Sequence, residues 1–459
     1  MGVLQGALEV ENRIIINAVS LHNMEKGKAL KTKSFQERGW LKLDNAAKLF
    51  PSIISEDLTH VFRITASLKE PVRYSSIREA VEITSRRFPY FGVSLRSGIF
   101  WHFLEFNDQL PRIQVEEEIP CTAFALKRKN EPLYRVIIKA NRISVEFLHI
   151  LTDGAGALEY LKSLLYTYLS LVGKQISSSG NIILPGTPLS DEEYEDGYNK
   201  FFHKLPSPTK TVKAWQLPFR LNNKPRLRVL SAEISIDDIV KVSHGHKVSV
   251  TEYFVSVCYF SLQKILMSGK EQSKKGEQKV LRIEIPVNMR KLYPGRTLRN
   301  FSLFVAPEID VRLGTYTLEE ILKSVHHQLQ IGTDIKQISR FMSSNVSYEK
   351  MLIIRILPLF IKKIVIGRVY NKLSSRRLTG LVTNLGKVTL PGGMEEMVDS
   401  FELIAPPPNR KVKVNTALVS FKGKLRICFS NITQSREFER HVLKHLSDTG
   451  IHVKILNYN

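Results

Sequence analysis

Three cysteines in 459 residues, at positions 121, 258 and 428, are too few and too far apart for a disulfide framework. They show no CxxC spacing, which removes the common structural zinc pattern and points to a reducing, cytoplasmic compartment. A long apolar run is also missing. The nearest, residues 351–367, is interrupted by Arg355, Pro358, Lys362 and Lys363, so no membrane span is expected. The first residues lack the basic start and sustained apolar stretch of a secretory peptide. The apolar residues 14–16 are bracketed by Glu9, Glu11 and Arg13, and residues 1–35 read as an extension. There is no G-x-S-x-G elbow, no Walker A loop and no G-x-G-x-x-G following a strand. A serine hydrolase, a nucleotide hydrolase and a dinucleotide-dependent oxidoreductase are thereby disfavoured.

Acidic residues are in short supply: 44 against 67 lysines and arginines, a net charge of +23. Such a balance suits nucleic acid, an anionic membrane surface or a phosphate-bearing cofactor. The basic residues are dispersed, without interleaved aromatics and without a zinc-finger or RNA-recognition signature, so no nucleic-acid partner is expected.

With 43% apolar and 24% charged residues the chain is globular, and its length exceeds one ordinary core, so two domains are expected. Periodicity places a short helix at 40–47, a strand at 61–66, a helix at 75–87, strands at 100–105, 134–139 and 143–149, and a leucine-striped helix after residue 157. Residues 178–223, rich in proline and carrying Asp191, Glu192 and Glu193, read as a crossover. Domains are thus assigned to 36–177 and 224–459. In the second, strands are expected at 227–234, 281–287, 301–309, 380–390, 400–404, 414–421 and 424–429. Helices are expected at 236–242, 251–266, 318–342, 348–373 and 436–446. Helices are grouped rather than strictly alternating with strands, which favours an α+β sandwich, repeated twice, over a doubly wound parallel sheet.

The sharpest chemical feature is His149-Ile150-Leu151-Thr152-Asp153-Gly154, at the end of an apolar strand and followed by Ala155, Gly156 and Ala157. A strand end holds a histidine rigidly, small neighbours leave room for substrate, and imidazole can take a hydroxyl proton near neutral pH. The plainer reading is a hydrogen-bonded core histidine. A metal pair is a third, but the segment reads as strand and turn with no third ligand nearby, so no metal is assigned. Asp153 suits a structural role if it finds a buried cation, and Arg290, within Asn288-Met289-Arg290, is the candidate.

At this point the chain resembles the chloramphenicol acetyltransferase-like acyltransferases, whose signature is H-x-x-x-D-G. Three further patches agree: Arg87-Phe88-Pro89-Tyr90-Phe91, Asn288-Met289-Arg290 with Asn300-Phe301 downstream, and Thr383-Asn384-Leu385-Gly386. The resemblance spans about residues 36–459, with the opening at 40–51 similar to bacterial alcohol acetyltransferase-like proteins. Leu148 stands where peptide-synthetase condensation domains usually carry a first histidine, and the D-F-G-W-G motif of plant members is absent. The resemblance implies two similar α/β sandwich domains with an active-site tunnel between them. It implies His149 as general base beside Gly154, Asp153 paired with Arg290 and supported by Asn288, and Thr383 and Asn384 as oxyanion or tunnel candidates. For Thr383 and Asn384 a turn that merely fixes its own backbone is the equal alternative. The implied reaction is transfer of an acyl group, acetyl first, from acyl-CoA (acetyl-CoA) to a small or lipophilic alcohol by a monomer. Carrier-protein-dependent condensation, lipid acyl transfer and a non-catalytic relative are the alternatives. Residues 351–377 read either as a core-packed helix with snorkelling cations or as a basic, apolar face for anionic membrane, peripheral to its inner surface.

Overall fold

The computed structural model describes residues 39–115, 119–177, 180, 182–209, 211–268, 279–370 and 375–458, so the extension assigned to 1–35 lies outside the described residues. The first half contributes strands β1 (Trp40–Lys42), β2 (Val61–Leu68), β3 (Val93–Ser97), β4 (His102–Phe106), β5 (Arg112–Val115), β6 (Tyr134–Lys139) and β7 (Arg142–Leu148). Its helices are α1 (Tyr74–Arg87) and α2 (Gly154–Leu171). The second half contributes β8 (Arg228–Ser235), β9 (Val280–Asn288), β10 (Ser302–Val305), β11 (Glu308–Asp310), β12 (Gly380–Lys387), β13 (Val398–Ile404), β14 (Val414–Phe421), β15 (Lys424–Asn431) and β16 (Lys454–Tyr458). Its principal helices are α3 (Ile236–Gly245), α4 (Val250–Met267), α5 (Leu318–Thr333), α6 (Ile335–Lys350), α7 (Leu352–Ile356), α8 (Leu359–Val369) and α9 (Glu437–Asp448).

Two mixed sheets organise these elements. One runs β13-β2-β7-β6-β5 and packs on α2, and the other runs β10-β9-β12-β14-β15-β8-β16 with β11 also on β9. Apolar residues of α4, α5 and α9 cover the second sheet in one continuous core with Ile283, Leu418 and Ile427. β1, β4 and β3 form a separate small sheet.

The boundary drawn at residue 224 does not separate the sheets. β13 comes from the second half but pairs antiparallel with β2, with Phe401 opposite Ala66. Its Glu402 accepts from Ser231 Oγ on β8 at 2.6 Å and from Arg142 Nη2 on β7 at 2.8 Å, so one carboxylate ties the two sheets together. The crossover is anchored at its acidic run: Glu193 accepts from both Nη atoms of Arg87 at 2.9 and 2.7 Å and from the Tyr90 hydroxyl at 2.7 Å.

Three expected helices differ. Residues 40–47 form no helix: the first three join β4, and Asp44 Oδ1 then accepts from Ala47 N at 2.8 Å, closing a turn. The helix expected over 318–342 breaks at Asp334, whose side chain caps a new helix through Lys336 and Gln337 N–H groups. The stretch after 348 divides at Pro358, which cannot continue α7 and opens α8. Among the described residues no helix is long and apolar enough to cross a membrane.

Candidate active site

β7 ends at Leu148, and the next residue is His149, whose backbone N–H donates to His60 O at 2.9 Å. The imidazole is half-buried between the rings of Phe50 and Phe62, each centred 5.2 Å away. Its Nδ1 lies 3.0 Å from Asn300 Oδ1. The orientation of that amide follows from its other end: Asn300 Nδ2 donates to Asp44 Oδ2 at 3.1 Å and to His149 O at 2.9 Å. Oδ1 is therefore the acceptor and Nδ1 carries the proton, which leaves the lone pair of the neutral ring on Nε2. Burial lowers the His149 pKa below its usual 6.5, against the pull of Asp153 and Asn300, so the ring is neutral at pH 7. His60 is pushed down to about 3, by burial first and then by His149, and adds no competing cation.

Asp153 does two jobs of position. As the N-cap of α2 its Oδ1 accepts from Gly156 N at 3.3 Å, while Oδ2 accepts from Phe301 N at 2.9 Å and from Arg290 Nη1 at 2.9 Å. Arg290 also donates through Nη1 to Asn288 Oδ1 at 3.1 Å, through Nε to Thr297 O at 2.6 Å and through Nη2 to Arg299 O. Burial pushes the Asp153 carboxyl up, but the Arg290 charge and the Arg290 and Phe301 donors outweigh it, and the net shift is downward. The carboxylate is held in a clamp between the first-half motif and the 288–301 segment of the second half. Close packing reinforces that clamp. A methyl group at Gly156 would sit 2.1 Å from Leu298 O and 2.2 Å from Thr152 Oγ1, so only glycine fits there.

The remaining candidates separate. Gly154 opens α2, and a methyl group there would lie 3.3 Å from the Leu385 side chain of β12. Asn384 is committed elsewhere: Nδ2 donates to Thr251 Oγ1 at 2.9 Å and Oδ1 accepts from Gly386 N at 2.8 Å, at a bulge in β12 where Gly386 takes φ +85°. Thr383 sits on the strand face opposite the core residue Val382, half-buried, in the strand that brings Leu385 to Gly154.

Asn300 and Asp44 were missed as functional residues. Asn300 stands in the sequence only as part of the Asn300-Phe301 patch downstream of Asn288-Met289-Arg290, and Asp44 in an expected helix. Asp44 is fully buried, and burial lifts its pKa to about 6 despite Arg299, 3.6 Å away. We expect Asn300→Ala to lower kcat by up to about 10²-fold with little change in KM, because it frees the ring that it aims rather than a substrate contact. Steady-state kinetics over a range of pH checks this. A change confined to KM would place Asn300 on substrate instead.

No protein-family model and no curated relative matches the sequence. Solved structures do. The TRI101 protein of F. sporotrichioides, crystallised with coenzyme A and T-2, is 12% identical, with 91% of this chain and 100% of that chain covered and a TM-score of 0.56. The TRI3 trichothecene 15-O-acetyltransferase from Fusarium sporotrichioides is 12% identical over 92% and 99% of the two chains, with a TM-score of 0.55. The wax ester synthase/diacylglycerol acyltransferase from Marinobacter aquaeolei VT8 is 12% identical over 89% and 100%, with a TM-score of 0.51. The chain has the chloramphenicol acetyltransferase-like fold. Within that fold, the segment 149–154 occupies the junction of the two sheets' territories, with Asp153 clamped to β9's trailing turn and Gly154 facing β12.

Proposed function

We propose that the protein is an O-acyltransferase that moves an acyl group, acetyl first among candidates, from acyl-CoA to an alcohol, with His149 as general base. The observation that carries this reading is the lock on Nδ1. With Asn300 Oδ1 holding that proton, Nε2 is the only basic nitrogen of the ring, and burial keeps it unprotonated at neutral pH. In the proposed step Nε2 takes the hydroxyl proton as the alcohol oxygen attacks the thioester carbonyl. The tetrahedral oxyanion collapses, expelling the thiolate, which recovers the proton from the imidazolium. The Thr383 hydroxyl and the amides opening α2 at Gly154 are the proposed oxyanion donors. Asn384 is the weaker candidate because both ends of its amide are engaged. The coenzyme is a substrate in this scheme. All named groups come from one chain, so a monomer suffices.

The test is incubation of the purified chain with labelled acetyl-CoA and a panel of alcohols from short to long chain. Ester formation with release of free thiol is the expected result. Turnover only with an acyl carrier protein would replace coenzyme A as donor, and hydrolysis without ester would remove the alcohol from the scheme.

A further inference from the structure

The two helices α7 and α8 are turned the opposite way from a core-packed pair. Their one buried cation is Lys362, 2% exposed, whereas Leu352, Ile353, Ile356 and Phe360 are between 60% and 71% exposed and Ile364 is 51% exposed. Lys362 Nζ donates to Phe100 O at 2.7 Å and lies 3.5 Å over the Trp101 ring. The Leu359 N–H donates to Ile99 O at 2.9 Å, so α8 is seated on the β3–β4 turn, where Ile99 adds another apolar side chain, 76% exposed. Of the two readings of this stretch, the core-packed helix is therefore corrected: Lys362 is inside and Arg355, Lys363 and Arg368 are outside, while Ile353, Ile356 and Ile364 face outward and Ile354, Ile361 and Ile366 are half-buried.

Such an arrangement is costly in water. An ammonium is withdrawn from solvent and stabilised by the Phe100 and Arg355 carbonyls and one ring, while a run of aliphatic side chains is left wet. α8 is apolar all round, with Leu359, Ile361 and Ile366 half-buried and Phe360, Ile364 and Val365 exposed, so its outer face suits a non-aqueous neighbour. Charge narrows the choice of neighbour. The exposed charges of the two helices, Arg355, Lys363 and Arg368, are all basic, and no acidic residue occurs between Glu349 and Glu395. A second copy carrying +23 would be repelled, whereas an anionic bilayer attracts the cations and dissolves the aliphatic groups.

We propose that α7, α8 and the β3–β4 turn form a docking face for an anionic lipid surface, with the aliphatic side chains entering the acyl boundary and Arg355, Lys363 and Arg368 meeting headgroups. The face is close to the chemistry. α8 packs on the single turn Phe50–Ser52, whose Phe50 ring lies against His149.

The test is co-sedimentation of the full chain with vesicles of phosphatidylcholine alone or mixed with phosphatidylglycerol, which reads binding without turnover and so stands apart from the acyl-transfer reading. Wild type should bind the mixed vesicles about tenfold or more tightly than the neutral ones, and lose that binding as salt rises. Ile356→Ser with Phe360→Ser, and separately Arg355→Glu with Lys363→Glu, should each weaken it about tenfold or more at unchanged melting temperature. These positions are exposed, so folding is preserved. No sedimentation, equal sedimentation with both lipids, or full binding by the serine variant overturns the proposal. A concentration-dependent dimer abolished by the serine pair would overturn it in favour of self-association.

Discussion

His149→Ala should lower acyl transfer by about 10²–10⁴-fold, the usual contribution of a positioned base, with the melting temperature nearly unchanged. The stability half of this expectation follows from the hydrogen bonds. The imidazole makes one, to Asn300 Oδ1, and the rest of the Asn300 anchoring uses Asp44 and the His149 backbone carbonyl, which the alanine keeps. The activity half follows from the ring's isolation as a base. His60, the other imidazole nearby, is held unprotonated, but its Nε2 is buried without a partner and is not aimed by any hydrogen bond. The pH dependence of the parent has a definite sign. A neutral His149 is the active form and its pKa is lowered, so kcat/KM should be level around neutrality and fall on acidification only below the ordinary histidine value of 6.5. Full activity in a folded alanine variant, or an acid limb centred above 6.5, would remove His149 from the role of base.

Arg290→Ala should be the more damaging change to the fold, by about 3–5 kcal/mol, because it strands a buried carboxylate. Asp153 is 5% exposed and would keep only its two backbone donors, while Thr297 O, Arg299 O and Asn288 Oδ1 would each lose a donor. The acid side of the stability curve gives a second signature. The Asp153 carboxyl has a folded pKa below its unfolded value of 3.8, so its contribution is present above 3.8 and is lost as pH falls through the lower, folded value. Removing Arg290 should flatten that acid loss. Pairing Arg290→Met with Asp153→Asn should recover part of the stability, since the uncompensated charge is then gone. Thermal denaturation of Arg290→Met, Asp153→Asn and their double from neutral to acid pH decides the matter, and additive losses in the double variant would exclude a direct pair.

What the sequence made legible was local. A strand closing on a histidine, a small-residue helix start and a leucine stripe are patterns within about twenty residues, and β7, α2 and the 149–154 turn follow them. The groups that aim the histidine were not legible, because Asn300 lies 151 positions from it and is itself held by Asp44, 256 positions from Asn300. Residues 351–367 could not be placed by hydrophobicity alone, because an all-round apolar run does not say which side chains face inward, and here Lys362 took the interior site over Trp101. The β13 exchange was invisible because a buried strand reads alike whichever sheet receives it.

That exchange also constrains synthesis. β2 ends at Leu68 and is complete early, but its neighbour on one side begins at Val398. While the ribosome makes everything between, β2 has β7 on one flank and an open row of amides and carbonyls on the other. The nascent first half therefore carries a template for pairing with any passing extended chain until β13 emerges. Expression of residues 40–177 alone should yield aggregation rather than a soluble half-enzyme, and slow translation should lengthen the period in which a chaperone must shield that edge.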